Sequence, residues 1–147
     1  MKNFAIALCG ALGLFFAIQA GAANYVVKEL NNGPGGTFVF DPSYLHVRPG
    51  DSVTFEPTDQ GHNSESVAIP EGAQAWKSDI SQPLTVTFTK QGVYLYQCAP
   101  HALFGMVGAI QVSKALNKDA VLKAADELEH KQLMNQGRIS GLMKQIQ

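Results

Sequence analysis

The chain has 147 residues, 46% of them hydrophobic, and a formal net charge of -1. That suits one compact domain with an ordinary core rather than two domains. It carries no stripe of clustered Lys and Arg of the kind phosphate binding needs, so nucleic acid is not expected as a partner. At the start, Lys2 supplies a positive charge and residues 4–18 form an apolar run broken only by small side chains. Ala20-Gly21-Ala22 then offers the small residues that a signal peptidase reads. The run falls short of the about 20 residues a membrane span requires. Leu8 stands before Cys9, where lipid attachment would want a small residue. The expectation is a cleaved leader over residues 1–22 and a single domain over 23–147, periplasmic and free of the membrane. Cleavage would leave 125 residues with a charge of -2, and Cys98 as the one remaining cysteine. An unpaired thiol in an oxidising compartment calls for an explanation from its neighbours.

From residue 25 to about 113 the pattern is one of short strands between turns. Phe38 and Phe40 alternate, as do Val53 and Phe55, and Leu84, Val86 and Phe88 alternate with threonines. Val93 to Gln97 and Ala109 to Val112 are further candidates, and His46 falls in another. Breaks fall at Asn32-Gly33-Pro34-Gly35-Gly36, Asp41-Pro42, Arg48-Pro49-Gly50-Asp51 and Gln91-Gly92. Roughly seven or eight strands at this spacing predict a mainly β fold, an antiparallel Greek-key sandwich or barrel over about 23–113. After Ser113 the period becomes helical. Asn117 is a candidate N-cap, Val121, Leu122, Ala124, Ala125 and Leu128 share one face, and Gly137 separates a second stripe of Ile139, Leu142, Met143 and Ile146. Two C-terminal α-helices over about 117–147 are expected to cover one face of the sandwich.

The chemistry is concentrated in Cys98-Ala99-Pro100-His101-Ala102-Leu103-Phe104-Gly105-Met106, at the end of a predicted strand. His62, in Gln60-Gly61-His62-Asn63, lies 36 residues upstream of Cys98 in another loop. Two imidazoles, one thiolate and a weak thioether form the ligand set of a blue-copper electron-transfer site, with metal ligands His62, Cys98, His101 and Met106. Cuprous ion favours soft sulfur and cupric ion favours nitrogen, so a mixed set serves both states with little rearrangement. Zinc could use the cysteine and histidines, but its structural sites seldom take a thioether. A Cys98–His101 nucleophile pair is conceivable, although it assigns no task to Pro100 or Met106. His46 and His130 show no ligand-like grouping.

The Cys98-x-x-His101-x4-Met106 motif, Gly61-His62-Asn63 and the strand Gly92-Val93-Tyr94-Leu95-Tyr96-Gln97 resemble the cupredoxins, and most of all their pseudoazurin branch. Val53-Thr54-Phe55-x-Pro57-Thr58-Asp59 and Ile69-Pro70-x-Gly72-Ala73 are similar to the pseudoazurin pattern, and two terminal helices fit it. The resemblance implies one type 1 copper ion, each histidine bound through one ring nitrogen, a short bond from Cys98 and a long axial one from Met106. It implies that Asn63 ties the His62 loop to the ligand loop beside the Cys98 sulfur. It also implies a monomeric electron carrier rather than an enzyme, active in denitrification. The implied partners are a copper nitrite reductase or a c-type cytochrome, docking transiently on an apolar patch around His101 that includes Pro100, Ala102, Leu103 and Phe104. Copper delivery or sequestration is the rival function. Members of that branch often carry lysines around the patch; Asn32, Gln60 and Gln97 stand at those positions here, leaving Lys77. Weaker electrostatic steering follows. Phe38 aligns near the exposed histidine, where it is expected to be a core aromatic, with stacking on His101 as the alternative.

Overall fold

Alternating apolar residues impose the sheet, because in an extended chain they all face one side. The computed structural model describes residues 21–147. All but the last two residues of the expected 1–22 leader, Cys9 included, lie outside it. Eight strands form: β1 (Asn24–Gly33), β2 (Gly36–Asp41), β3 (Tyr44–Val47), β4 (Ser52–Glu56), β5 (Glu65–Ala68), β6 (Leu84–Thr87), β7 (Gly92–Gln97) and β8 (Val107–Val112). They build two four-stranded sheets, ordered β2-β1-β4-β6 and β3-β8-β7-β5. The inner faces meet on Val27, Phe40, Val53, Phe55, Tyr96 and Ile110. A two-sheet sandwich with helices after the strands is the architecture expected from the sequence.

Pairing is less uniform than expected. β1 runs parallel to β4 and β3 parallel to β8, while the other four pairs are antiparallel. Alternation says which face of a strand is buried, and says nothing about the direction of its neighbour. Phe88 is buried as its pattern requires, although it falls just past the end of β6.

The tail forms α1 (Lys118–Glu129) and α2 (Arg138–Met143). Val121, Ala125, Ile139, Leu142, Met143 and Ile146 pack on Val93, Leu95, Val107 and Ala109. β7 and β8 are therefore covered on both faces, which is why their burial is almost continuous. Two details depart from the sequence reading. Leu122, placed on the apolar face, is exposed. Asn117 does not cap α1 with its side chain; its amide pairs with the Val93 backbone instead, accepting from N at 2.7 Å and donating to O at 2.9 Å. The start of α2 is held by Glu129 of α1, whose carboxylate accepts from the backbone of Gly137 and, at 2.7 Å, of Ser140.

Candidate metal centre

Strand register brings the two ligand-bearing loops together. β5 and β7 pair antiparallel with Glu65 opposite Gln97. His62 lies just before β5 and Cys98 just after β7, so the pairing sets them side by side. Ser81 pins the His62 loop: its hydroxyl accepts from Gly61 N at 2.8 Å and its own N donates to His62 O at 2.7 Å. Beyond Cys98, Pro100 enters a short 3₁₀ helix (Ala99–Phe104). Gly105 ends that helix in the left-handed region at φ 76°, where a Cβ would also collide with Gln132 at 2.1 Å. The chain then turns back, so that Cys98 N donates to Met106 O at 3.0 Å and Met106 N to His101 O at 3.2 Å.

The side chains converge as the motif suggests. Cys98 Sγ lies 3.6 Å from His62 Nδ1 and 3.4 Å from His101 Nδ1. One donor atom from each of His62, Cys98 and His101 falls within 4.8 Å of the others. Met106 is fully buried at the end of the same loop. His62 Nε2 sits 3.0 Å from Asn31 Oδ1, an acceptor that places the ring proton on Nε2 and leaves the Nδ1 lone pair facing the thiol. Asn63 joins the two loops: its N donates toward Cys98 Sγ at 3.5 Å and its Oδ1 accepts from Ala99 N at 2.8 Å. Its Nδ2 donates to Ser78 O at 3.2 Å. The tying role expected of Asn63 is met.

Electrostatics separates the chemical alternatives. Burial pushes the Cys98 thiol up to about 11, against the pull of the Asn63 and His101 backbone N–H groups. Burial also pushes both His62 and His101 below the usual histidine range, so each presents a neutral ring. A nucleophilic cysteine needs a depressed pKa and access to solvent. Cys98 has neither, being fully buried. Two neutral imidazoles around a thiol that ionises only with difficulty suit a soft cation that displaces its proton.

Phe38 lies at the margin of the core, packed against it but only half-buried. Its backbone is left-handed, at φ 50°, and its half-buried ring stacks on His101 with centroids 4.2 Å apart and planes 11° from parallel. Around His101 the surface is apolar: Ala99 and Pro100 are exposed, Leu103 is 49% exposed, and Phe104 is half-buried against Phe38. Leu133 and Met134, from the loop between α1 and α2, extend the exposed apolar set at 68% and 46%. His46 and His130 lie apart from the site, the first on the Ser113 carbonyl at 3.0 Å and the second on Asp126.

Sequence reasoning missed Asn31, Ser78, Ser81 and Glu29. Glu29 had a signal, because its alternation with Val27 turns it inward. It is fully buried with neither carboxylate oxygen hydrogen-bonded, and burial pushes it up to about 7. The Tyr96 hydroxyl is also buried and unpartnered, its ring lying against Gly108 where a Cβ would come within 2.3 Å.

A family model for copper-binding proteins of the plastocyanin/azurin family matches residues 27–113. The chain is 42% identical over 139 residues to the pseudoazurin of Methylorubrum extorquens, covering 93% of this chain and 91% of that protein. The solved structure of pseudoazurin from Methylobacterium extorquens AM1 superposes with a TM-score of 0.71 at 42% identity, over 84% of this chain and 99% of that one. Native pseudoazurin from Hyphomicrobium denitrificans gives a TM-score of 0.72 at 32% identity, over 84% and 98%. A two-sheet sandwich that gathers two imidazoles and a buried thiol at one end, together with these likenesses, identifies the chain as a member of the plastocyanin/azurin family of copper-binding proteins, similar within it to the pseudoazurins, with copper as its cofactor.

Proposed function

We propose that the chain is a periplasmic, monomeric blue-copper electron carrier rather than an enzyme, with one type 1 copper ion held by His62, Cys98, His101 and Met106. The observation that carries this reading is the convergence of two histidine Nδ1 atoms on the buried Cys98 sulfur, at 3.6 and 3.4 Å. When bound, copper supplies one-electron chemistry. The chain's own residues do the rest. His62 is fixed through Asn31, Asn63 locks the two loops together, and Cys98 and Met106 are shielded from water. A site held this firmly would need little rearrangement when bound copper changes oxidation state.

His101 is the part-exposed ligand, and its apolar surround of Pro100, Leu103 and Phe104 lets a partner approach closely and leave quickly. The proposed partners are a copper nitrite reductase or a c-type cytochrome in denitrifying respiration, met after removal of the leader over residues 1–22. Delivery or sequestration of copper is served less well, because exchange favours exposed ligands and three of these four are fully buried.

The test is the visible spectrum of the protein loaded with Cu(II), beside a Cys98→Ser variant. An intense thiolate-to-copper band, bleached by ascorbate and absent from the variant, is expected. A colourless wild-type protein that binds copper weakly would overturn the four-ligand assignment.

A further inference from the structure

The C-terminal tail does more than cover a sheet face. Three consecutive carbonyls of the ligand loop each receive a donor from it. Leu133 N donates to Leu103 O at 2.7 Å, Asn135 Nδ2 to Phe104 O at 2.7 Å, and Arg138 Nη1 to Gly105 O at 3.3 Å. The same Arg138 guanidinium reaches about 100 residues back along the chain. Nη1 also donates to Thr37 O and Phe38 O, both at 3.0 Å, and Nη2 to Gly35 O at 3.1 Å. One half-buried cation thus joins the β1–β2 turn, the strained Phe38 peptide and the residue preceding Met106.

Among the described residues no carboxylate lies within ion-pair distance of Arg138, so backbone carbonyls alone satisfy it. A partly desolvated charge is costly unless its donors are occupied, and the planar fork of arginine suits several fixed acceptors at once. The carbonyl of Phe38 belongs to a residue held at φ 50°, a conformation bulky side chains rarely adopt. That conformation departs from regular strand geometry at the residue whose ring lies over His101.

We infer that Arg138 is a positioning residue of the copper centre: it holds Phe38 stacked on His101 and the Gly105 peptide in place ahead of Met106, so that the C-terminal helix sets the geometry and potential of the site. The inference rests on the ligand assignment proposed above, and its first readout is independent of copper. In the metal-free protein, a ring at 4.2 Å shifts the His101 ring protons upfield in the NMR spectrum. Phe38→Ala provides the unstacked reference.

Arg138→Met is expected to move those resonances most of the way to the Phe38→Ala positions. Arg138→Lys, which keeps the charge and loses the fork, is expected to move them part of the way. In the copper-loaded protein Arg138→Met shifts the reduction potential and the intensity ratio of the thiolate bands while keeping the metal. Ile139→Val loosens the packing of α2 without touching these carbonyls and leaves the His101 resonances in place. Unchanged His101 resonances in Arg138→Met, with only the melting temperature lowered, would reduce Arg138 to a structural role. Equal displacement by Ile139→Val would do the same. A wild-type protein lacking the thiolate band would count against the ligand assignment, while the metal-free spectra still decide the role of Arg138.

Discussion

The two histidines of the site are held in opposite ways. His62 is fully buried, its outer nitrogen engaged by Asn31 and its loop pinned by Ser81 and Asn63. His101 reaches the surface and is held by the flat face of Phe38, which the tail in turn holds through Arg138. A hydrogen bond fixes ring tautomer and direction. A stacked ring fixes the plane and leaves the edge free. The difference suits a carrier whose inner ligand anchors the metal and whose outer ligand passes the electron. The same division concentrates the energetic costs of burial on the inner side and leaves the outer side to packing.

The largest effect expected from that division comes from Glu29, on the same strand as Asn31. The carboxyl ordinarily ionises at 4.5, and in the fold burial raises it to about 7. Between these values the folded state holds a proton that the unfolded chain has lost, so stability falls as pH rises, and the loss is complete above about 7. At roughly 1.4 kcal/mol per pH unit the total is about 3 kcal/mol. Denaturant melts of the metal-free protein from pH 4 to 8 measure it. Glu29→Gln is expected to remove this falling component and leave the opposite, rising one that the lowered His62 and His101 contribute; a fall of the same size that survives in the variant would place the titration elsewhere.

A smaller effect comes from comparing the two imidazole supports directly. Asn31→Ala frees His62 to turn, and loss of such a support typically costs about 10–100-fold in metal affinity. Phe38→Ala removes a stacked pair worth about 0.5–1.5 kcal/mol, and is expected to shift the potential more than the affinity. Competitive copper titration and voltammetry on both variants separate the two. Equal loss of affinity in both would erase the distinction between anchor and outlet.

The smallest effect concerns the outer surface. Asn32 and Gln60 are exposed and uncharged, Gln97 is tied to Glu65, and Lys77 forms an ion pair with Glu65 at 2.9 Å. With Lys77 paired to Glu65 and no charge on Asn32, Gln60 or Gln97, association with a redox partner is expected to depend only weakly on salt. Stopped-flow rates that fall steeply between low and physiological ionic strength would contradict this.

Much of the molecule was legible before folding. Cys98, His101 and Met106 fall within nine residues of one loop, so their convergence is a local property that spacing alone conveys. Strand alternation and the two helical stripes are equally local, and they placed the sandwich and its covering helices. The tying role of Asn63 was expected only from the resemblance of Gly61-His62-Asn63 to the cupredoxins. Departures appeared where partners are distant in sequence. Asn117 carries the side chain of a helix cap, yet Val93 claims it, because an unpaired backbone pair nearby outweighs one turn of capping.

By itself, then, the amino-acid sequence determined the ligand types, the strands that carry them and the apolar faces, since residue chemistry and periodicity act over a few positions. Only the tertiary structure decided that Asn31 steadies His62, that β1 and β4 run parallel, that Phe38 turns onto His101, and that Arg138 binds carbonyls of residues 35, 37, 38 and 105. Polar pairings of that kind have no period and no fixed spacing. They are selected by which backbone groups the packed sheets and helices leave in want of a partner.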